Sequence, residues 1–314
     1  MDKTKNRIAA IDIGTNSFHL IILEITNNNK LKLLDRDRVF LRIGNIKQNG
    51  LNIISKSDTE AAVNVLLKFK QLADFHKARI FAIATSAVRE ASNNKEFISE
   101  VFNRTRVKIK IIDGKSEAKL IFLGMKNALD LSSSNVLGID IGGGSTEFIY
   151  AVNGKVKYAD SVKIGAVRLS NVFFSEYKIT KSAVSACEDY VEAHIQKQID
   201  MKIFRKIDIA VGSSGTVDTI CMIKNIQSGN AVRKKLNGFE FSYDEFEDIY
   251  NLIMNLRTPD ERMNVPGLES KRADIIPAGL IILKKIFQLF DLNKMILSEY
   301  ALREGIVFKA LNLN

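Results

Sequence analysis

The segment Asp140-Ile141-Gly142-Gly143-Gly144-Ser145-Thr146-Glu147 combines residue types that rarely occur together without a chemical reason. Three consecutive glycines cost backbone entropy on folding. They make sense where a ligand must come close to the main chain. Successive N–H groups there form a nest for phosphate oxygens, and Ser145 and Thr146 add hydroxyls. Asp140 and Glu147 offer hard oxygen ligands of the kind Mg²⁺ takes. A tight hairpin would need only one or two glycines and has no use for flanking acids. A matching segment, Asp12-Ile13-Gly14-Thr15-Asn16-Ser17, stands 128 positions earlier, with aspartate, first glycine and serine in register. Two phosphate loops suit a ligand that carries several phosphates.

Three further segments could contribute. Thr85-Ser86-Ala87-Val88-Arg89-Glu90 follows a strand pattern and opens a helix. Its hydroxyls could cap the helix, whereas the planar fork of Arg89 matches phosphate oxygens. In Gly114-Lys115-Ser116-Glu117-Ala118, Glu117 falls in the first helical turn. A carboxylate there gains from the helix dipole, and the local sequence alone favours that plain role. Gly212-Ser213-Ser214-Gly215-Thr216 also enters a helix, so Gly215 and Thr216 could meet a phosphate or nucleoside. Close helix-to-sheet packing explains those small residues equally well. His19, His76 and His194 are widely separated and read as surface or satisfied core residues. No Gly-x-Ser-x-Gly elbow or Walker lysine loop is present.

The elements that must position these residues form an internal repeat. Each Asp-x-Gly loop joins two apolar strands, the second being Phe18 to Ile25 or Thr146 to Val152. A turn of Asn27-Asn28-Asn29 or Asn153-Gly154 then leads into a third strand, ending in Leu41-Arg42-Ile43-Gly44 or Val162-Lys163-Ile164-Gly165. After each meander, helices alternate with strands. The first half predicts a helix over Ser57 to His76 with a Ser57/Glu60 capping box, then strand Arg79 to Ala84. It continues with helix Asn93 to Asn103, strand Val107 to Ile112 and helix Lys115 to Leu129. The second half predicts helices at Lys181 to Gln198, from Thr216, at Tyr243 to Asn255, Lys271 to Phe290 and Ala301 to Leu311. Its later strands are Ile207 to Val211 and Lys294 to Leu297. The pattern predicts an α/β protein of two duplicated domains facing a cleft, residues 1–125 and 126–314. The last helix, about 300–314, could return to the first domain.

Bulk properties agree. The 314 residues are 46% hydrophobic and 26% charged, enough for full cores without staples. Cys187 and Cys221 form no paired motif, which argues against zinc and for reduced thiols in the cytoplasm. The formal charge of +10 favours anionic ligands. The apolar run Ile275 to Leu283 is far shorter than the roughly 20 residues of a membrane helix. The start of the chain has no signal-peptide pattern. No membrane or nucleic-acid partner is expected, since no stacking aromatic motif accompanies the charge.

Taken together, these segments resemble the exopolyphosphatase/guanosine pentaphosphate phosphohydrolase (Ppx/GppA) family of the actin-like, ribonuclease H-like superfamily. The residues carrying the resemblance are Asp12 to Phe18, Thr85 to Ala91, Gly114 to Ala118, Asp140 to Glu147, Ile164 to Leu169, Lys271 to Gly279 and Ser298 to Gly305. The resemblance is to the short two-domain form and covers nearly the whole chain. It implies that Glu117 is the catalytic base for water, against the local reading, and that Arg89 binds phosphate. It implies that Asp140 and Glu147 serve the metal and water, with Mg²⁺ or Mn²⁺ as cofactor. It further implies that Asp12, Gly14, Thr15, Asn16, Ser17, Gly142, Gly143, Gly144, Ser145 and Thr146, with Gly215 and Thr216 of the third loop, hold phosphates of polyphosphate or guanosine pentaphosphate, in a homodimer. Two departures stand out: Ser116 replaces an acid before Glu117, and the third loop has fewer glycines than usual. Two other readings are a kinase or ATPase of the same superfold and a non-catalytic actin-like scaffold.

Overall fold

A computed structural model describes residues 6–26, 31–43, 45–46, 52–174, 178–230 and 236–311. The chain divides into two compact units, Met1–Gly124 with Leu302–Asn314, and Met125–Ala301.

The first unit is built on β1 (Arg7–Ile13), β2 (Ser17–Ile25), β3 (Leu31–Phe40), the short β4 (Asn45–Ile46) and β5 (Asn52–Ile53), β6 (Arg79–Ala84) and β7 (Ile109–Ile111). Its main sheet has the order β3-β2-β1-β6-β7. β1 is antiparallel to β2 and parallel to β6, so it lies in the middle, with Ile8 to Ile11 and Ile13 buried. That position explains the apolar run Ile8 to Ile11, since a strand covered on both faces has little polar side to show. The helices are α1 (Lys56–Phe75), α2 (Ser86–Arg89), α3 (Asn94–Thr105) and α4 (Gly114–Ala128). The capping box of α1 is Ser55 with Asp58, not Ser57 with Glu60. Ser57 already has its place inside the helix, and Glu60 pairs instead with Arg104 of α3. The expected turn at Asn27 to Asn29, and Gly44, lie outside the described residues.

The second unit comprises β8 (Asn135–Ile141), β9 (Thr146–Val152), β10 (Lys155–Val162), α5 (Ala166–Phe173), α6 (Lys181–Gln198), β11 (Ile209–Ser213) and α7 (Ser214–Gln227). It continues with β12 (Glu240–Ser242), α8 (Tyr243–Asn255), α9 (Pro259–Met263), α10 (Ile276–Leu289) and β13 (Lys294–Leu297). The sheet order is β10-β9-β8-β11-β13-β12. Without the antiparallel edge strand β12, this is the order of the first unit again. The β9–β10 turn has Asn153 and Gly154 both at positive φ (51° and 70°), as a two-residue hairpin requires.

Two expectations shift here. Helix α10 begins at Ile276, with Pro277 in its first turn, because Ser270–Arg272 forms a separate 3₁₀ turn ahead of it. Strand β11 runs on through Gly212 and Ser213, so the third small-residue loop is partly strand.

The last described helix, α11 (Leu302–Ala310), packs on β1 and β2 of the first unit. A Cβ at Gly305 would stand 1.9 Å from the Leu120 carbonyl, so α11 lies directly against α4. A glycine permits that approach.

Candidate functional site

The turns that follow β1 and β8 are built alike. Gly14 donates its N–H to the Ser17 carbonyl (3.2 Å), and Gly142 donates to that of Ser145 (2.9 Å). In both, the aspartate of the first strand lies directly across from a residue of the second: Asp12 opposite His19, and Asp140 opposite Glu147.

In the second unit the start of α5 braces the turn. The Gly142 carbonyl accepts from Ala166 N (3.0 Å), and that of Gly143 from Val167 N (2.9 Å) and Arg168 N (3.0 Å). The Gly144 carbonyl accepts from Arg168 Nε (2.7 Å). No cis peptide is present among the described residues, and in a trans peptide the N–H points opposite to the carbonyl. With three carbonyls aimed at α5, the N–H groups of Gly143, Gly144 and Ser145 therefore point away from it. Three such donors in a row make a nest for an anion. Gly165 underlies the turn; a Cβ there would fall 2.5 Å from the backbone of Gly143 and Gly144.

The acids beside this nest are held rigidly. Asp140, 6% exposed, accepts from the hydroxyls of Ser213 and Ser214. Ser214 is held at φ 71°, a costly conformation for a side-chain-bearing residue. Glu147, 1% exposed, accepts on Oε1 from Ser145 Oγ and Ser161 Oγ, both at 2.7 Å. Among the described residues no group of three His, Cys, Asp or Glu gathers as a metal cage. Two facing carboxylates still fit Mg²⁺, which keeps several waters and binds through one or two carboxylates plus substrate phosphates.

In the first unit the Asn16 carbonyl accepts from Leu41 N (3.1 Å) and Arg42 N (3.2 Å), while Arg42 Nε donates to Asn16 Oδ1 (3.1 Å). The Ser17 N–H is thereby turned away from Arg42. Asn16 is 8% exposed, and its Nδ2 has no partner among the described residues. A buried donor left unsatisfied costs about 1–3 kcal/mol, which a phosphate oxygen would recover. Gly14 and the buried Thr15 complete the turn.

Arg89 and Glu117 come together at the carboxyl ends of β6 and β7. Arg89 Nη1 donates to Glu117 Oε2 (2.8 Å) and to the Ile112 carbonyl (3.0 Å). Glu117 is 6% exposed. At the start of α4 Asp113 acts as a cap, accepting from Ser116 N (2.8 Å) and Ser116 Oγ (2.9 Å), and these bonds hold its carboxyl below the ordinary range. The capping expected of Thr85 or Ser86 is absent: Thr85 makes no side-chain cap, and Ser86 Oγ donates to Glu90 (2.8 Å).

Packing governs the third loop. A Cβ at Gly215 would overlap the Arg272 guanidinium (1.8 Å), and one at Gly279 would meet Thr216 Oγ1 (2.3 Å). Burial pushes Cys187 up to about 12 and raises Cys221 further, so neither thiol is a nucleophile. Sequence reasoning gave no site role to Ser161 and His19, and it named Ser213, Ser214 and Arg168 only as members of their segments. The repeat itself points to His19, which occupies the position of Glu147.

The model of the Ppx/GppA phosphatase family matches residues 5–314. A bifunctional 3-dehydroquinate synthase/phosphatase of Fusobacterium nucleatum is 29% identical over 95% of this chain and 46% of its own length. A guanosine-5'-triphosphate,3'-diphosphate pyrophosphatase of Photobacterium profundum is 28% identical over 97% and 59%. The chain thus spans about half of those two relatives. The crystal structure of an exopolyphosphatase from Cytophaga hutchinsonii superposes with a TM-score of 0.88 at 27% identity, covering 98% of this chain and 99% of that one.

Proposed function

Because the chain belongs to the Ppx/GppA phosphatase family, we propose that it is a phosphohydrolase that releases terminal phosphate from inorganic polyphosphate or converts guanosine pentaphosphate to tetraphosphate. The observation that carries this reading is the Arg89–Glu117 pair at 2.8 Å, its carboxylate buried, beside a helix start capped by Asp113. A buried glutamate oriented by an arginine suits proton transfer from water. Glu117 orients a water and takes its proton as the oxygen attacks phosphorus. The proton leaves the water, the new P–O bond forms, and the anhydride P–O bond breaks toward the shortened chain. Arg89 turns the carboxylate with Nη1 and offers its remaining N–H groups to phosphoryl oxygens.

Each unit offers donors that stabilise charge on phosphates: the N–H groups of Gly143, Gly144 and Ser145 in the second, and Asn16 Nδ2 with the Ser17 N–H in the first. Phosphoryl transfer asks mainly for such positioning and charge compensation. Asp140 and Glu147 would hold Mg²⁺ or Mn²⁺, which when bound withdraws charge from the phosphoryl oxygens. A reducing cytoplasm, where buried free thiols persist, and a homodimer belong to the same reading. Among the described residues, no helix is long and apolar enough to cross a membrane.

The test is phosphate release with Mg²⁺ from long and short polyphosphate, guanosine pentaphosphate and ATP, side by side, with Glu117→Gln as control. Loss of a positioned base costs about 10²–10⁴-fold, so the variant should bind substrate and turn over at that reduced rate. Release that survives the substitution would reject Glu117 as the base. Transfer from ATP to a second molecule instead of water would favour a kinase.

A further inference from the structure

We infer that Arg303 and His19 form a hydrogen-bond relay that holds the Ser17 hydroxyl as a donor toward the phosphate oxygens of the substrate. The inference rests on the phosphohydrolase reading and adds two positioning residues to it.

Arg303, on α11, places Nη1 3.3 Å from His19 Nδ1. A guanidinium has only donors. Nδ1 must therefore accept, and a neutral ring then carries its proton on Nε2. That nitrogen lies 2.7 Å from Ser17 Oγ, so Nε2–H donates to the serine. An imidazolium would aim an N–H at the guanidinium. The other charged neighbours across the sheet are Asp12 on β1 and Arg38 on β3. Arg303 itself pairs with the buried Glu304 (3.8 Å), and the neutral ring follows from the Nδ1 contact with the guanidinium.

With a lone pair of Ser17 Oγ occupied by the imidazole, the serine proton is free to point at a ligand. Ser17 is only 5% exposed and sits in the turn with Asn16 Nδ2 and the Ser17 N–H. The relay thus adds a third donor to an anion site. The second unit does the reverse. Ser145 spends its proton on Glu147 Oε1, so its oxygen presents lone pairs, fit for a water or a cation. Two serines at equivalent repeat positions, each within its own unit, thus carry opposite polarity, and the residue two places on decides which.

Three histidines in the chain make the relay readable by ¹⁵N NMR of the whole protein. The His19 signals are those lost in His19→Gln. The expected result near neutral pH is the Nε2–H tautomer, perturbed in Arg303→Leu and kept in Arg303→Lys. A charged ring or the Nδ1–H tautomer in the unaltered protein overturns the relay. This reading needs no substrate, so it stands apart from the phosphohydrolase assignment, which fails if no polyphosphate is cleaved.

Tripolyphosphate binding, measured by calorimetry in the Glu117→Gln background, supplies the second arm. His19→Met, which cannot donate, should weaken binding about tenfold, the size of one hydrogen bond to a charged group. His19→Gln, whose amide can donate, should stay within about threefold. Equal loss in both overturns the proposal. These two variants keep a side chain of similar length, so they guard against Arg303→Leu failing to fold.

Discussion

In the first unit the strand-to-strand turn is short of glycine, ends in Asn16 and Ser17, and is held by Leu41, Arg42 and the His19 ring. In the second, three glycines lie against the start of α5, and the neighbouring serine is tied to a carboxylate. The strand order and the Gly-to-Ser backbone bond are the same. A duplicated backbone therefore does not impose duplicated chemistry. The fold fixes where the turn sits, and two or three side chains fix whether it offers donors or acids. Anion-binding donors dominate the first turn, whereas the second combines a backbone nest with two buried carboxylates.

The largest expected effect breaks the brace of the second turn. Gly165→Ala would put a Cβ 2.5 Å from main-chain atoms of Gly143 and Gly144, which cannot swing aside as a side chain could. A displacement of about 1 Å at a reacting group can cost about 10²-fold, so phosphate release should fall by roughly that factor. Overpacking of this kind also destabilises by about 1–3 kcal/mol. Parallel urea melts will separate the two losses. An unimpaired Gly165→Ala enzyme would mean that the nest does not carry the substrate.

A smaller effect sharpens the contrast between acids and donors. Ser213→Ala removes a hydroxyl from Asp140, which then keeps the bond from Ser214. Hydrogen bonds to charged groups contribute about 1.5–3 kcal/mol. The Mg²⁺ concentration for half-maximal phosphate release should rise about tenfold. Tripolyphosphate affinity without metal should change little. An unchanged metal requirement would detach Asp140 from the cation.

Much of this contrast can be read in the chain itself. Strands Arg79–Ala84, Thr146–Val152 and Lys294–Leu297 and helices Lys181–Gln198 and Tyr243–Asn255 fall at their expected bounds, because apolar periodicity and end signals agree there. The capping box of α1 slips because Ser55 and Ser57 both precede the apolar stripe, and only the backbone angles at the junction choose between them. β12 goes unread because three residues are too short to show an alternating pattern. The Arg303–His19 contact spans 284 positions, and no local pattern encodes so distant a pair. Asp140's Ser213 likewise comes from the end of a parallel neighbour strand, and its Ser214 from the start of the helix that follows. Local sequence shows which turn is unusual; the partners that set its polarity arrive through topology.

The smallest effect contrasts two helix starts. In the first unit α4 begins on Asp113, whose carboxylate accepts from the backbone and hydroxyl of Ser116. In the second, α7 begins on Ser213 with no side-chain cap, because that hydroxyl serves Asp140. One start is spent on stability and the other on the site. Asp113→Ala should therefore cost stability, about 1 kcal/mol for a lost cap, whereas Ser213→Ala should cost metal use and no cap. The Asp113 loss should depend on pH. The bonds from Ser116, main-chain first, hold its folded pKa below the free value of 3.8. A group lowered on folding stabilises above its unfolded pKa, and that contribution fades as pH falls through the lower, folded value. Its carboxyl is almost fully exposed, so solvent screening keeps the titrating part modest. Urea midpoints of the two proteins should differ at neutral pH and converge on acidification below about pH 4. A gap of constant size down to strong acid would show that Asp113 caps α4 through its shape and not its charge.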